Sequence, residues 1–189
     1  LATGSKSKEI PFLKFDGKKI LSSTDILNMQ DLPQKLVVIG GGVIGCEFAS
    51  IYNQLGVEVE IVEFLPNLIA QEDAEISKRL AMALKKAGIK LHLKTAVESA
   101  AENDGRIVLQ LSDKTQIEAD KVLVSVGRAP VCDIRFENCE LTTEKGFVVI
   151  DEQFRTNLPK VFAIGDVTGK LMLAHTASKQ GLIVADILN

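Results

Sequence analysis

The sequence predicts an α/β fold: a Rossmann-like parallel sheet, an antiparallel three-stranded β-meander lying on it as a flap, and an incomplete second domain. Three observations predict it. A wholly apolar run, Leu36-Val37-Val38-Ile39, leads directly into the glycines Gly40-Gly41-Gly42. From there to Leu93, helix-like and strand-like stretches alternate. Between Ala96 and Ala119 the pattern shortens to three β-runs split by the turns Asn103-Asp104-Gly105 and Ser112-Asp113-Lys114.

Residues 1–33 read as loop, broken by Pro11 and Pro33, with Ser22-Ser23-Thr24-Asp25 as a helix cap. Leu36–Ile39 lacks polar alternation, as a strand buried on both faces should. Val43–Leu55 has apolar residues at helical spacing (Ile44, Phe48, Ile51, Tyr52, Leu55) and stops at Gly56. Val57–Val62 is the next strand and ends at Glu63. Gln71–Ala87 is a second amphipathic helix, with Ile76, Leu80, Ala83, Leu84 and Ala87 on one face and Gly88 as its stop. Ile89–Leu93 is a third strand. The runs Ala96–Ala101, Arg106–Leu111 and Thr115–Ala119 form the meander, and Val122–Val126 returns as a buried strand. Further on, Phe147–Ile150 and Val161–Ile164 read as strands and Leu173–Ile187 as a helix. The expected division is therefore 1–33, 34–128 and 129–189, the last too short to close a core alone.

Composition narrows the function. With 46% hydrophobic and 25% charged residues, the chain can bury a real core. Its net charge of −3 is spread without blocks, which argues against a nucleic-acid partner. No apolar run reaches the ~18 residues of a membrane span, and Leu1–Ser5 does not open a signal peptide. The three cysteines (Cys46, Cys132, Cys139) sit at unrelated spacings, which fits reduced thiols in a cytoplasmic setting and no metal.

The chemistry concentrates at the glycine turn. Gly40, Gly42 and Gly45 form GxGxxG between a strand and a helix. The first allows the tight turn, the second the approach of a pyrophosphate, the third close helix–strand packing. The helix start at Val43 and Ile44 then offers free N–H groups to phosphate. Glu63 follows Gly45 by 18 residues, at the tip of the second strand, where a carboxylate accepts bonds from ribose hydroxyls. No Lys or Arg occurs between Glu63 and Lys78 to receive a 2′-phosphate, so NAD is expected over NADP. Glu47, read as lying in the helix's first turn, is on this evidence a partner of the helix dipole.

These motifs, with those that follow, resemble the flavin-dependent pyridine nucleotide–disulfide oxidoreductases, and among them the branch that oxidises dihydrolipoamide. The resemblance rests on Ala2-Thr3-Gly4-Ser5, on Gly40–Glu47, on Ser125-Val126-Gly127-Arg128-Ala129-Pro130, and on Phe162–Val167 followed by Met172-Leu173-Ala174-His175. It implies that Gly40, Gly41, Gly42, Val43, Ile44, Gly45, Glu47, Glu63, Val97 and Gly127 bind NAD, with Val97 by the adenine and Glu47 at the flavin–nicotinamide junction. It implies FAD contacts from Thr3, Gly4, Ser5, Asp166, Met172, Leu173, Ala174 and His175. Residues 1–33 would be the end of the flavin domain's first half with a linker. Residues 34–128 would be the NAD domain, and 129–189 an incomplete return into the FAD domain.

The family's first GxGxxG, its redox disulfide of two cysteines five positions apart and its His–Glu base pair have no counterpart here. The chain therefore reads as an internal piece with no catalytic residue of its own, Glu47 aside, and inactive alone. The resemblance implies a homodimeric parent that serves a 2-oxo acid dehydrogenase complex or the glycine cleavage system, in the cytoplasm or the mitochondrial matrix. The alternatives are another enzyme of the superfamily (mercuric reductase, NADH oxidase, transhydrogenase) or a stand-alone NAD(H)-responsive binding module.

Overall fold

The computed structural model describes residues 1–134, 137 and 139–189. They divide into two compact units, one of 7–127 and one of 1–6 with 128–189. In chain order, β1 is Ser5–Ser7, β2 is Ile20–Leu21, α1 is Ser23–Leu27, β3 is Lys35–Ile39 and α2 is Val43–Gln54. Next come β4 (Glu58–Glu63), α3 (Ala74–Lys86), β5 (Lys90–Leu93), β6 (Val97–Asn103), β7 (Arg106–Leu111) and β8 (Gln116–Ala119). The last are β9 (Lys121–Val124), β10 (Arg128–Pro130), β11 (Thr143–Glu144), β12 (Phe147–Val148) and α4 (Ala174–Leu188).

The unit of 7–127 is built on a five-stranded parallel sheet in the order β2-β9-β3-β4-β5. Its strands feed two cores, because side chains alternate across a sheet. Leu36, Val38, Val59, Ile61 and Leu123 meet α1, α2 and α3 on one face. Val37, Ile39, Val62, Val122 and Val124 meet the meander residues Ile107, Leu109, Leu111 and Ile117 on the other. Leu36, Val37 and Val38 are wholly buried; each such side chain stabilises the fold by about 1.5–3 kcal/mol. The antiparallel meander β6-β7-β8 is thus the second cover of the sheet.

Residues 1–33 hold more structure than the sequence predicts. Ser22 caps α1 in a reciprocal box with Asp25. Asp16 Oδ1 accepts the N–H groups of Lys18, Lys19 and Ile20, fixing the turn that delivers β2 to the sheet edge. Two residues are too few to show a period, which is why the loop reading fails there.

The helix faces also differ from expectation. On α2 the buried residues are Gly45, Cys46, Ala49 and Tyr52, whereas Ile51 and Leu55 are exposed. Small residues win because this helix lies close against the sheet. On α3 the buried line is Ser77 and Leu84, with Leu80 and Ala81 half-buried, and Ile76, Ala83 and Ala87 point to solvent. Ser77 can enter that face because its hydroxyl donates to Leu68 O at 2.6 Å. Asp73 caps α3 by accepting from Glu75 N and Ile76 N.

The unit of 1–6 and 128–189 is smaller. Strands β1 and β10 pair, β11 and β12 form an antiparallel ribbon, and Val148, Ala163 and Val167 make the buried centre. Phe147–Ile150 shortens to the two residues of β12, and Val161–Ile164 is not a strand. Phe162 makes an isolated bridge with Arg155, while the Leu1 ammonium donates to Phe162 O and Leu1 O accepts from Ile164 N–H. This segment satisfies its backbone piecemeal, so no ladder forms. α4 covers the expected helix to Leu188.

Candidate functional site

In the unit of 7–127, the polypeptide leaves β3 at Gly40, whose φ of +109° needs a glycine. Gly40 N–H donates to Val62 O at 2.9 Å, so the turn stays bonded to β4. Gly42 (φ −73°) caps α2 and is exposed; a Cβ added there would meet no atom within 4 Å. That open space is the room a pyrophosphate needs to reach the backbone. At Gly45 a Cβ would lie 2.0 Å from Gly40 O, so the helix approaches the turn as the third glycine of the pattern requires. The first N–H groups of α2, at Val43 and Ile44, have no carbonyl one turn back to bond and remain available to an anion at the helix start.

Glu63 closes β4 beside this turn. Its Oε2 accepts Gly41 N–H at 2.5 Å and its Oε1 accepts Leu65 N–H at 2.6 Å. A carboxylate has about four acceptor positions, so both oxygens keep capacity for a second donor. The side chain is fixed, half-buried and charged, which suits a vicinal diol and repels a phosphate. The glycine turn and Glu63 therefore fit a dinucleotide that carries a free adenosine ribose.

Other expected residues fall around this nucleus. Glu47 is exposed and is the fifth residue of α2, beyond its first turn. The expected dipole contact is weak there, since the effect fades within the first turn. Val97 opens β6, half-buried against the meander core. Gly127 (φ +110°) is exposed and its carbonyl accepts Lys8 N–H at 3.0 Å.

Two residues near the turn, Ser125 and Cys46, receive no role there from the sequence. Ser125 Oγ lies 3.1 Å from Ile39 O and 3.2 Å from Gly40 O, and donates to these carbonyls at the floor of the turn. Cys46 donates its thiol to Gly41 O at 3.4 Å. Burial, then Glu63 and Glu47, push its pKa up to about 11, so it is a packing thiol rather than a nucleophile. All three cysteines are free.

In the unit of 1–6 and 128–189, Ser5 and Asp166 come together. Ser5 Oγ donates to Asp166 Oδ2 at 2.5 Å, and Arg128 Nε donates to Ser5 Oγ at 2.6 Å. Arg128 also donates to Ser5 O at 2.7 Å and lies 3.7 Å from Asp166 Oδ2. Arg128 lies in the Ser125–Pro130 motif, yet nothing local in the sequence marks it as the clamp. Gly4 has φ +75° and its carbonyl accepts Val131 N–H, while Thr3 is exposed. Asp166 sits in a one-turn 3₁₀ helix, Gly165–Thr168, held to α4 by Gly165 N–H and Gln180 Oε1 at 2.7 Å. Met172, Leu173, Ala174 and His175 are exposed at the start of α4. A carboxylate beside a hydroxyl fits a polyol chain such as the ribityl group of FAD.

Among the described residues no group of three His, Cys, Asp or Glu could hold a metal ion, and no helix is long and apolar enough to cross a membrane.

A family model described as pyridine nucleotide-disulphide oxidoreductase matches residues 1–181. Dihydrolipoyl dehydrogenase of Chlamydia pneumoniae is 41% identical over 98% of the chain, which covers 40% of that protein. The mitochondrial dihydrolipoyl dehydrogenase of Pisum sativum is 40% identical over 100% of the chain, which covers 39% of that protein. Among solved structures, an HOCl-induced flavoprotein disulfide reductase from Escherichia coli matches with a TM-score of 0.88 and 30% identity, over 98% of this chain and 43% of that one. The chain thus spans about 40% of the length of the curated relatives it matches.

Proposed function

Because the chain belongs to the pyridine nucleotide-disulphide oxidoreductase family, we propose that its 7–127 unit binds NAD(H) for a dihydrolipoyl dehydrogenase. The family's cofactors are FAD and a pyridine nucleotide. The observation that carries the reading is Glu63 held by Gly41 and Leu65 beside a turn whose Gly42 is open. Glu63 accepts the adenosine ribose hydroxyls, the α2 start takes the pyrophosphate, and Gly127 and Glu47 lie toward the nicotinamide. When bound, NAD⁺ supplies a hydride acceptor; the residues here hold and orient it.

The unit of 1–6 and 128–189 contributes part of an FAD site through Thr3, Gly4, Ser5, Asp166 and Met172–His175. In the whole enzyme, electrons pass from dihydrolipoamide through a disulfide and FAD to NAD⁺. No two of Cys46, Cys132 and Cys139 are five positions apart, so these residues alone do not turn over dihydrolipoamide. The parent is a homodimer serving a 2-oxo acid dehydrogenase complex or the glycine cleavage system, in the cytoplasm or the mitochondrial matrix.

Calorimetric titration of the chain with NADH, NADPH and FAD tests the reading. NADH at least tenfold tighter than NADPH, a gap of about 1.4 kcal/mol, is expected. Equal or tighter NADPH binding would overturn the ribose assignment, and rapid oxidation of dihydrolipoamide by this chain would overturn its inactivity.

A further inference from the structure

Gly41 is the glycine of Gly40-Gly41-Gly42 that the GxGxxG pattern leaves free to vary. Its backbone does not demand glycine, because its φ lies outside the left-handed region that Gly40 occupies. Space demands it instead. A Cβ on Gly41 would lie 2.5 Å from Leu68 Cδ2 and 3.1 Å from Glu63 Cβ and Cγ. Leu68 is wholly buried in the core that holds Ile61 and Leu84, so it cannot swing aside without disturbing that core.

The segment carrying Leu68 is tied down along its length. Ile69 N–H donates to Gly41 O at 2.7 Å, and Ser77 Oγ holds Leu68 O at 2.6 Å. Lys94 N–H donates to Leu65 O at 3.0 Å, on the same residue whose N–H Glu63 grips. Ile69 has φ +39°, a conformation that a β-branched residue adopts only where its surroundings impose it. The chain accepts strain to keep Leu68 over Gly41.

We infer that Leu68 and Ile69 are positioning residues for the dinucleotide's ribose. Residues 64–72 form a strap across the glycine turn, and its pressure on Gly41 keeps the Gly41 N–H in line with Glu63. Glu63 alone touches the ribose diol; the strap sets the direction in which its free lone pairs point. The inference rests on the NAD(H) reading above and adds to it a source of selectivity against a 2′-phosphate.

The test titrates the chain with NADH and NADPH, as wild type, Leu68→Ala, Gly41→Ala and the double variant, with thermal melts alongside. Leu68→Ala narrows the NADH-to-NADPH affinity ratio at least roughly threefold, and Gly41→Ala narrows it further. The double variant recovers part of what Gly41→Ala loses, because the added methyl then fills the space Leu68 vacated. If Leu68→Ala unfolds, Leu68→Val is read the same way. A Leu68 variant that melts earlier but keeps the wild-type ratio would show packing only and overturn the inference. So would strictly additive effects in the double variant. A wild type that binds no NADH overturns the underlying reading, which separates the two failures.

Discussion

Gly41 and Glu63 are joined head to side chain: the Gly41 N–H donates to Glu63 Oε2 at 2.5 Å, from two parallel strand ends 22 residues apart in sequence. The acid is therefore oriented before any ligand arrives, and both oxygens are anchored, one on each side. Replacing the carboxylate by an amide keeps the shape and removes the charge. Glu63→Gln is expected to weaken NADH binding by about 1.5–3 kcal/mol, the usual worth of a bond to a charged group. It should also narrow the preference over NADPH, which parallel titrations would read. Unchanged selectivity would place the ribose elsewhere.

The glycines of the turn separate folding from binding. Gly45→Ala forces a methyl to within 2.0 Å of a backbone oxygen, which no side-chain movement relieves. Its melting temperature should fall sharply, with a loss of at least about 1–3 kcal/mol from overpacking. Gly42→Ala meets open space at a φ that alanine accepts. Stability there should change by no more than about 0.5 kcal/mol while NADH affinity drops, because the methyl occupies the phosphate's path.

Acid sensitivity should centre on Glu60. This buried carboxylate touches Lys35 Nζ at 2.6 Å, His92 Nε2 at 2.7 Å and Lys90 Nζ at 3.3 Å. Burial alone would raise its pKa, but the Lys35 and His92 bonds and the Lys35 and Lys90 charges outweigh burial and hold it below 4.5. Asp16 is held low in the same sense by its three backbone N–H donors, against burial. A depressed folded pKa gives stability that is present above the unfolded value and lost as pH falls through the folded one. Melts should therefore weaken progressively below about pH 4.5. Glu60→Gln should flatten that limb and cost about 1–3 kcal/mol at neutral pH, since partners are left unpaired. An unchanged acid limb would remove Glu60 from the account.

Cys46 gives the opposite sign. Its folded pKa of about 11 lies above the ordinary 9.0, so its contribution is full below pH 9.0 and declines as pH rises toward 11. Thiol alkylation at neutral pH should modify exposed Cys139 well before Cys46, which peptide mapping by mass spectrometry would resolve. Rapid labelling of Cys46 in the folded chain would contradict its burial against the turn.

Arg128→Met should loosen the smaller unit. It removes the donors to Ser5 Oγ and Ser5 O and leaves Asp166 without its cation. Both partners are about a quarter exposed, so the loss is expected at only about 1–2 kcal/mol after screening. Limited proteolysis should show earlier cuts within 128–189 and an unchanged pattern within 7–127.

Much of the larger unit was legible because its signals are local. Leu36–Ile39 announces a doubly buried strand, and the glycines after it announce the turn. The meander runs match β6, β7 and β8 closely. What the sequence hid depends on distant partners. Ile51 and Leu55 look like core residues of α2 until the closeness of the sheet favours Gly45 and Ala49. Ser77 looks like a surface residue until Leu68 O offers it a bond. Ile20–Leu21 has meaning as a strand only beside β9, some hundred residues later. Spacing points to Glu63, and the structure puts it beside the glycine turn, whereas the contacts of Leu68, Ser125 and Arg128 are announced by no spacing.

The order β2-β9-β3 carries a consequence for how the chain is made. β2 joins the sheet only through β9, yet Lys121–Val124 is synthesised long after both its neighbours. Until then, β2 and β3 each present an open row of N–H and C=O groups with apolar side chains on the faces. The emerging polypeptide must keep that slot vacant while the meander forms, and closing it spans a long loop, which slows folding. A ribosome stalled before residue 124 would hold a sheet split down its middle, the kind of exposed edge that holding chaperones shield and that otherwise aggregates.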